Sequence, residues 1–497
     1  MPREDFFALP SGTAAGIRNR ADGPQRVARR FVASAPCAAK DPDRLNPEAR
    51  TSVTPVPAIV PREQHVISRK NISKAALRVL YRLHDAGYDA FLVGGAVRDL
   101  LLGGHPKDFD VATNATPDEV KKLFRNCRLI GRRFRLAHVV FGPEIIEVAT
   151  FRGTGEDDAA EGDRHIVDGL IVRDNVWGSI EEDAVRRDFR VNALYYDISD
   201  FSVRDYVGGM QDLQNRVLHL IGDPATRYRE DPVRMLRAAR LAAKLGFTID
   251  PKASAPFEEL GPLLCDAAPA RLFDESLKMF LAGNGLKSFR MLEQCGLLKF
   301  LFPATARALK RGDEALRSLI EQGLANTDQR IAEGKSVTPA FLFAVLLWGE
   351  VRDLAHAWMA KGADGSEAWA HAAAHVVGEQ CQRVAIPRRF TLTMEEIWSL
   401  QPRFEQIQRK RVFRLMTHPR FRAAFDFLLL RAAESPALRE LGQWWAHAQQ
   451  LPQDVLAAAL PASMGASGGT PGAPGVPPPR KRRRRKPSGK SARPDSN

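Results

Sequence analysis

Apolar residues first recur at helical spacing around residue 72. Ile72, Ala76, Val79, Leu80 and Leu83 share one face, which predicts a helix over 71–88 with Ser73 as its N-cap and Gly87 as its stop. Ala90-Phe91-Leu92-Val93 then reads as a short buried strand. Gly94 and Gly95 turn it into a short helix over 97–102. A second strand is expected over 108–112, and a helix over 117–126 opened by Pro117. Strands over 136–141 and 145–150 follow, with Pro143 in the hairpin between them. Beyond about residue 210 the helical period takes over, at 227–245, 270–281, 286–295, 339–347, 394–398, 410–416 and 420–433. The expected class is α+β: a small mixed sheet with helices, then an all-α remainder.

Both ends lack such a pattern. Residues 1–61 are rich in Ala, Arg, Pro and Ser and read as a disordered arm, too acidic for a good transit peptide. From Pro461 the chain turns Gly/Pro/Ala/Ser-rich and then strongly basic, and 461–497 reads as a disordered tail. From Arg480 onward nine Lys/Arg face one Asp, a net +8. That is more than half of the formal charge of +14 set by 73 basic and 59 acidic residues. A surplus of this size points to a polyanion, either nucleic acid or a membrane surface. The longest apolar run, 340–348, is nine residues, too short to span a bilayer. Five cysteines with no close pair give no C-x-x-C site and fit a reduced, cytoplasmic setting.

Three segments carry candidate chemistry. In the first, Leu92-Val93-Gly94-Gly95-Ala96-Val97-Arg98-Asp99 is followed by Asp108-Phe109-Asp110. A glycine turn between strand and helix lets backbone N–H groups approach a phosphate. Asp108 and Asp110, two apart on a strand, project to one side. Their repulsion is relieved by a divalent cation such as Mg²⁺, which takes one or two carboxylates plus substrate phosphates. Nucleotidyl transfer needs that arrangement. A D-x-D alone is more often a solvated strand edge, but here the order strand, glycine turn, helix, strand matches the structural need. The second segment runs from Glu182 to Leu194; read as a helix, it turns Arg187 and Asn192 toward a nucleotide with Asp188 as a third acid. The third runs from Glu230 to Arg240, where Asp231, Arg234 and Arg237 lie three apart on one helix face. For each of the last two in isolation, a surface ion-pair cluster is the plainer reading.

Together, LVGGAVRDLLLG with KDFDV, RRDFRVNALYYD and EDPVRMLRAAR resemble the class II nucleotidyltransferases, the bacterial poly(A) polymerases and tRNA CCA-adding enzymes. The resemblance covers roughly residues 62–450. It implies a polymerase-beta-like head over 62–210, a helical neck over 211–297 for base and RNA binding, and a helical body and leg over 298–460 for RNA binding, with contacts mainly to phosphates. By matching position, Asp108 and Asp110 look like the metal-binding catalytic pair and Asp188 like the third catalytic acid. Glu147, on a strand, is its rival. Gly94, Gly95, Arg98, Arg187 and Asn192 look like nucleotide contacts. Asp231, Arg234 and Arg237 look like the base-selecting set. The basic stretch LIGRRFRLAHVVF, with Arg132, Arg133 and Arg135, and the basic tail resemble the poly(A) branch. The resemblance therefore implies template-independent, Mg²⁺-dependent addition of AMP from ATP to RNA 3′ ends, which promotes RNA decay, by a cytoplasmic monomer. The tail is an expected contact for RNA-decay proteins or a membrane surface. A CCA-adding enzyme and a non-catalytic RNA-binding scaffold are the alternatives; the intact Asp108/Asp110 pair argues against the second.

Overall fold

Along the central strands, which are buried throughout except at Asp110, successive side chains join apolar clusters on opposite faces of the sheet. The structure is a computed structural model that describes residues 56–131, 135–153, 164–167, 170–174 and 176–461. Arg132, Arg133, most of the expected arm and nearly all of the tail lie outside the described residues. The strands are β1 (Ala58–Val60), β2 (Ala90–Val93), β3 (Asp110–Thr113), β4 (Cys127–Ile130), β5 (Leu136–Phe141) and β6 (Glu144–Thr150). Then come β7 (Arg164–Val167), β8 (Leu170–Asp174), β9 (Leu194–Asp197), β10 (Val203–Asp205), β11 (Val217–Leu218) and β12 (Thr248–Ile249). Eight form one mixed sheet in the order β1-β10-β9-β2-β3-β6-β5-β4, in which β3 and β6 are the parallel pair.

Helices α1 (Lys74–Asp85), α2 (Gly95–Leu101) and α3 (Pro117–Leu123) interleave with the first strands. Ser73 caps α1 by accepting from the Ala76 N–H, and Thr116 with Glu119 closes a capping box on α3. One sheet face places Leu92, Val111, Val139 and Val148 in a common apolar cluster with Val79 and Leu83 of α1 and Val120 of α3. The opposite face holds Phe91, Val93, Ala112, Phe151 and Tyr195 against Ala184. This second face carries the candidate site. The main apolar cluster runs on from the sheet through the following helices to Leu430. A separate cluster around Phe404, Phe425 and Trp445 closes the described chain.

Several elements differ from expectation. Residues 182–194 are not one helix: α4 (Ile180–Arg186) ends at an extended Arg187, a 3₁₀ turn spans Arg190–Asn192, and β9 follows. Nor is 227–245 continuous. After α5 (Gly209–Asn215), the chain forms α6 (Pro224–Glu230) and α7 (Val233–Leu245), broken at Asp231-Pro232. Proline has no N–H for the helix ladder and drives the residue before it toward extended backbone, and Asp231 sits at φ −152°, ψ 95°. Strand β1 falls inside the stretch read as arm, and β11 with β12 falls after the point where strands were expected to end. These pieces are two or three residues long, too short for a period to register. The helix expected over 339–347 extends across Pro339–Ala360, because its later turns bury only Val351 and Ala355 and lose the dense apolar signal.

Candidate active site

Strand register brings the acids together. Asp110 opens β3, and its in-register neighbours are Val93 on β2 and Glu147 on β6. Glu147 in turn faces His138 on β5, with His138 Nε2 3.3 Å from its Oε1. Residues in register on adjacent strands point to one face, so Asp110, Glu147 and His138 form a row. Asp108 lies in the segment just before β3, exposed like Asp110, with Phe109 buried between them. The two carboxylates thus flank a buried anchor, but the strand expected over 108–112 begins only at Asp110, so Asp108 does not share it. The surrounding protein pushes the Asp110 carboxyl up to about 6; Glu147 adds to the rise, Arg187 opposes it, and Asp108 adds a smaller push. A carboxylate set that repels itself in this way fits a divalent cation by its donor chemistry. Among the described residues no group of three or more His, Cys, Asp or Glu side chains is placed to hold a metal ion. An open site that completes its shell with phosphates and water does not need such a group.

The glycine turn borders these acids. Gly94 has φ +74° and caps α2. A Cβ there would lie 3.9 Å from Asp110 Oδ2 and 3.7 Å from Arg187 Nη1. Its bare Cα therefore keeps open the space between the acid and the guanidinium. Gly95 lies beneath Arg98, whose Nη2 would be 3.4 Å from a Gly95 Cβ. Arg98 is buried; it donates to Asp99 Oδ1 through Nε at 2.8 Å and to Asn192 Oδ1 at 2.5 Å. Arg187 Nε donates to Tyr195 Oη at 2.9 Å and Nη2 to Asp183 Oδ2 at 2.9 Å. Burial opposes the Arg187 charge, but Tyr195 and Asp183 hold it firmly protonated.

Asp188 has a different set of partners. Its Oδ2 accepts from Arg237 of α7, Nε at 2.8 Å and Nη2 also, and its Oδ1 accepts from Asn192 and from the Phe189 N–H. Burial raises its pKa, but Arg237 and these hydrogen bonds prevail and hold the carboxyl at about 2. Strand register thus places Glu147 beside Asp110, whereas Asp188 is engaged by Arg237 and Asn192. It also separates the third segment. Asp231 Oδ2 accepts from Arg271 at 2.8 Å, Arg234 Nη1 donates to Glu230 at 2.9 Å and to the Arg227 carbonyl at 2.7 Å, and Arg237 is turned to Asp188. Sequence reasoning missed Arg227, whose Nη2 donates to the carbonyls of Arg186 and Arg187 and so caps α4. It also missed Lys244, which bonds Asp99 at 2.9 Å, and the Arg240–Glu275 pair. Only the four-residue spacing of Asp183 and Arg187 was visible in the chain.

Comparison with known proteins decides the family. The chain is 55% identical over 415 residues to poly(A) polymerase I of Salmonella typhi, a span of 82% of this chain and 89% of that one. The chain belongs to the poly(A) polymerase family. Poly(A) polymerase I of Haemophilus influenzae is 46% identical over 392 residues, 78% of this chain and 87% of that one. A CCA-adding enzyme of Lactobacillus johnsonii is 36% identical over 224 residues, 45% of this chain and 54% of that one. Residues 90–219 match the poly A polymerase head domain, 246–309 the "probable RNA and SrmB- binding site of polymerase A", and 361–488 the polymerase A arginine-rich C-terminus. Among solved structures, the Bacillus stearothermophilus CCA-adding enzyme in complex with CTP aligns with a TM-score of 0.50 at 25% identity, over 75% of this chain and 80% of that one. The Thermotoga maritima CCA-adding enzyme complexed with tRNA aligns at 0.53 and 20% identity, over 79% and 86%, and shares the fold.

Proposed function

We infer that this polynucleotide adenylyltransferase, which extends RNA 3′ ends with AMP from ATP without a template, does its chemistry at Asp108, Asp110 and Glu147. The observation that carries the reading is the register of β3 and β6, which sets Asp110 beside Glu147. The RNA 3′-hydroxyl attacks the α-phosphorus of ATP. A new P–O bond forms, the bond to the bridging oxygen breaks, and pyrophosphate leaves. Mg²⁺ held by Asp108 and Asp110 would lower the pKa of the attacking hydroxyl and neutralise charge on the phosphates. Gly94 leaves room for the triphosphate, and Arg187, locked by Asp183 and Tyr195, presents a fixed positive charge to it. Arg98 and Asn192 face the same turn and suit phosphate and sugar contact.

Adenine shows a donating amino group and an accepting ring nitrogen on one edge. A carboxylate and a guanidinium complement that edge, and Asp231 with Arg234 supply the pair. Arg237 does different work, since it anchors Asp188 and ties α7 to the turn after α4. The CCA-adding reading has weaker support: the match to the Lactobacillus enzyme stops at less than half of the chain. Single-turnover AMP transfer separates the two candidate third acids. Glu147→Gln should slow the chemical step at saturating ATP by ~10²-fold or more, and Asp188→Asn should act mainly through weaker ATP binding and lower stability. The opposite pattern would return the catalytic role to Asp188.

A further inference from the structure

Asp99 belongs to the glycine-turn segment but takes no part in the chemistry above. It follows Arg98 on α2, and adjacent residues on a helix do not face each other. Even so, Asp99 Oδ1 accepts from Arg98 Nε at 2.8 Å and from Nη2 at 2.6 Å. Its second oxygen, Oδ2, accepts at 2.9 Å from Nζ of Lys244, in the last turn of α7. Arg98 turns its remaining nitrogen, Nη1, to Asn192 Oδ1 at 2.5 Å. Asn192 Nδ2 donates onward to Asp188 Oδ1 at 3.3 Å, and Asp188 Oδ2 accepts from Arg237 Nε at 2.8 Å. Arg237 is again on α7, seven residues before Lys244.

The side chains therefore close a ring: Lys244, Asp99, Arg98, Asn192, Asp188, Arg237 and back along α7. Seven residues make about two turns, so the two α7 members leave from one face, roughly 10 Å apart along the axis. Two such points fix the direction of a helix, where one would let it pivot. Helix α7 begins next to Asp231 and carries Arg234, and α2 begins at the Gly94-Gly95 turn. The ring thus joins the helix that starts at the base-reading pair to the helix that starts at the triphosphate turn. Its members differ in exposure: the side chain of Arg98 is 4% exposed and that of Asp99 19%, but that of Lys244 is 41%. An ion pair as open as Lys244–Asp99 adds little to folding. What it supplies is a direction.

We propose that Lys244 and Asp99 are positioning residues for nucleotide selectivity. They hold α7 in the one direction relative to α2 that lets adenine meet Asp231 and Arg234 while the triphosphate lies at the glycine turn. The proposal rests on the adenylyltransferase reading above. With the ring open, α7 pivots about Arg237 and the base-reading pair shifts. Adenine then loses more than a base that Asp231 and Arg234 do not match, so the loss falls on ATP and spares CTP.

The test is Lys244→Met in the full-length enzyme, with Lys244→Arg as the control that keeps the ion pair. Single-turnover addition to a short RNA with Mg²⁺ gives the ratio of rate to Kd for ATP and for CTP. Lys244→Met should lower the ATP-to-CTP preference about tenfold, the low end of what a lost contact costs in discrimination. Nearly all of that change should come from ATP. The melting temperature should hold, and Lys244→Arg should restore the preference. Asp99→Asn should lower it as well, and adding Lys244→Met to Asp99→Asn should cost nothing further, because the two act through one link. An unchanged preference in Lys244→Met would reduce the pair to a surface contact and overturn the proposal. Equal losses with ATP and CTP, or losses that add up in the double variant, would overturn it too, since they would mark a general loosening. If the wild type extended no RNA, the adenylyltransferase reading would fall. Displacement of a fluorescent ATP analogue by ATP and by CTP, without RNA, would still judge the ring by the same preference.

Discussion

Asp110, Glu147 and Asp188 are chemically alike, and their surroundings set them apart. Asp110 is crowded by protein and by Glu147 and titrates at about 6, whereas Asp188 is neutralised by Arg237 and titrates at about 2. The first carboxyl is poised to gain from a cation, and the second already has one. Asp110→Asn should lower kcat by ~10³-fold or more, since a metal-binding carboxylate has no substitute there, with the melting temperature unchanged or higher. Steady-state kinetics beside a thermal melt checks both parts. For Asp188 the downward shift means that its stabilisation is present above the unfolded value of 3.8 and is lost as pH falls through about 2. At ~1.4 kcal/mol per unit the pair is worth about 2 kcal/mol. Asp188→Asn should therefore be less stable than wild type by about that much near neutral pH, and the gap should close between about pH 4 and about pH 2. Urea midpoints across that range measure it. The D-x-D pair stood out by its spacing after the glycine turn, although the strand expected over 108–112 begins only at Asp110 and Asp108 lies in the segment before it. The pairing of Asp110 with Glu147 was not legible, since strand register is a tertiary fact; the resemblance offered Glu147 only as the rival of Asp188 for the third carboxylate.

At the scale of elements, the site depends on where helices stop. Alternation and capping revealed α1, α2, α3 and the β5–β6 hairpin, because each lies within a short window of chain. The breaks at Arg187 and at Asp231-Pro232 were missed, although Pro232 was in view, because helical spacing continues across it. Arg227 explains how the pieces hold. Its guanidinium caps two carbonyls at the end of α4, just before Asp188, and bonds Glu230, which also holds Arg234. Arg227→Ala would leave those carbonyls without their donor and should cost about 2 kcal/mol. It should also raise KM for ATP several-fold, through Arg187 on one side and Arg234 on the other; melting curves and ATP titrations read the two effects. Gly94→Ala tests the turn. Its new Cβ would meet only ordinary contacts, so the folding cost is the backbone at φ +74°, ψ −135°, a region nearly reserved for glycine, ~1–3 kcal/mol. The same methyl would fill the space between Asp110 and Arg187, so activity should fall much further than stability.

For the whole molecule, the sequence conveyed class and charge better than arrangement. The switch from strands to helices near residue 210 was visible as a change of period. The ties that bind α7 to the turn after α4 and to α2, Arg237 to Asp188 and Lys244 to Asp99, join residues 49 and 145 positions apart and left no mark in the chain. The most direct measurement is nucleotide incorporation by the purified enzyme on a short unstructured RNA, with Mg²⁺ and each NTP supplied separately. A tRNA lacking its last three bases runs beside it, and Asp108→Ala/Asp110→Ala serves as control. Long tails from ATP alone on the generic RNA, absent from the control, are the predicted result. Addition that stops after three nucleotides, needs CTP before ATP and occurs only on the tRNA would contradict it.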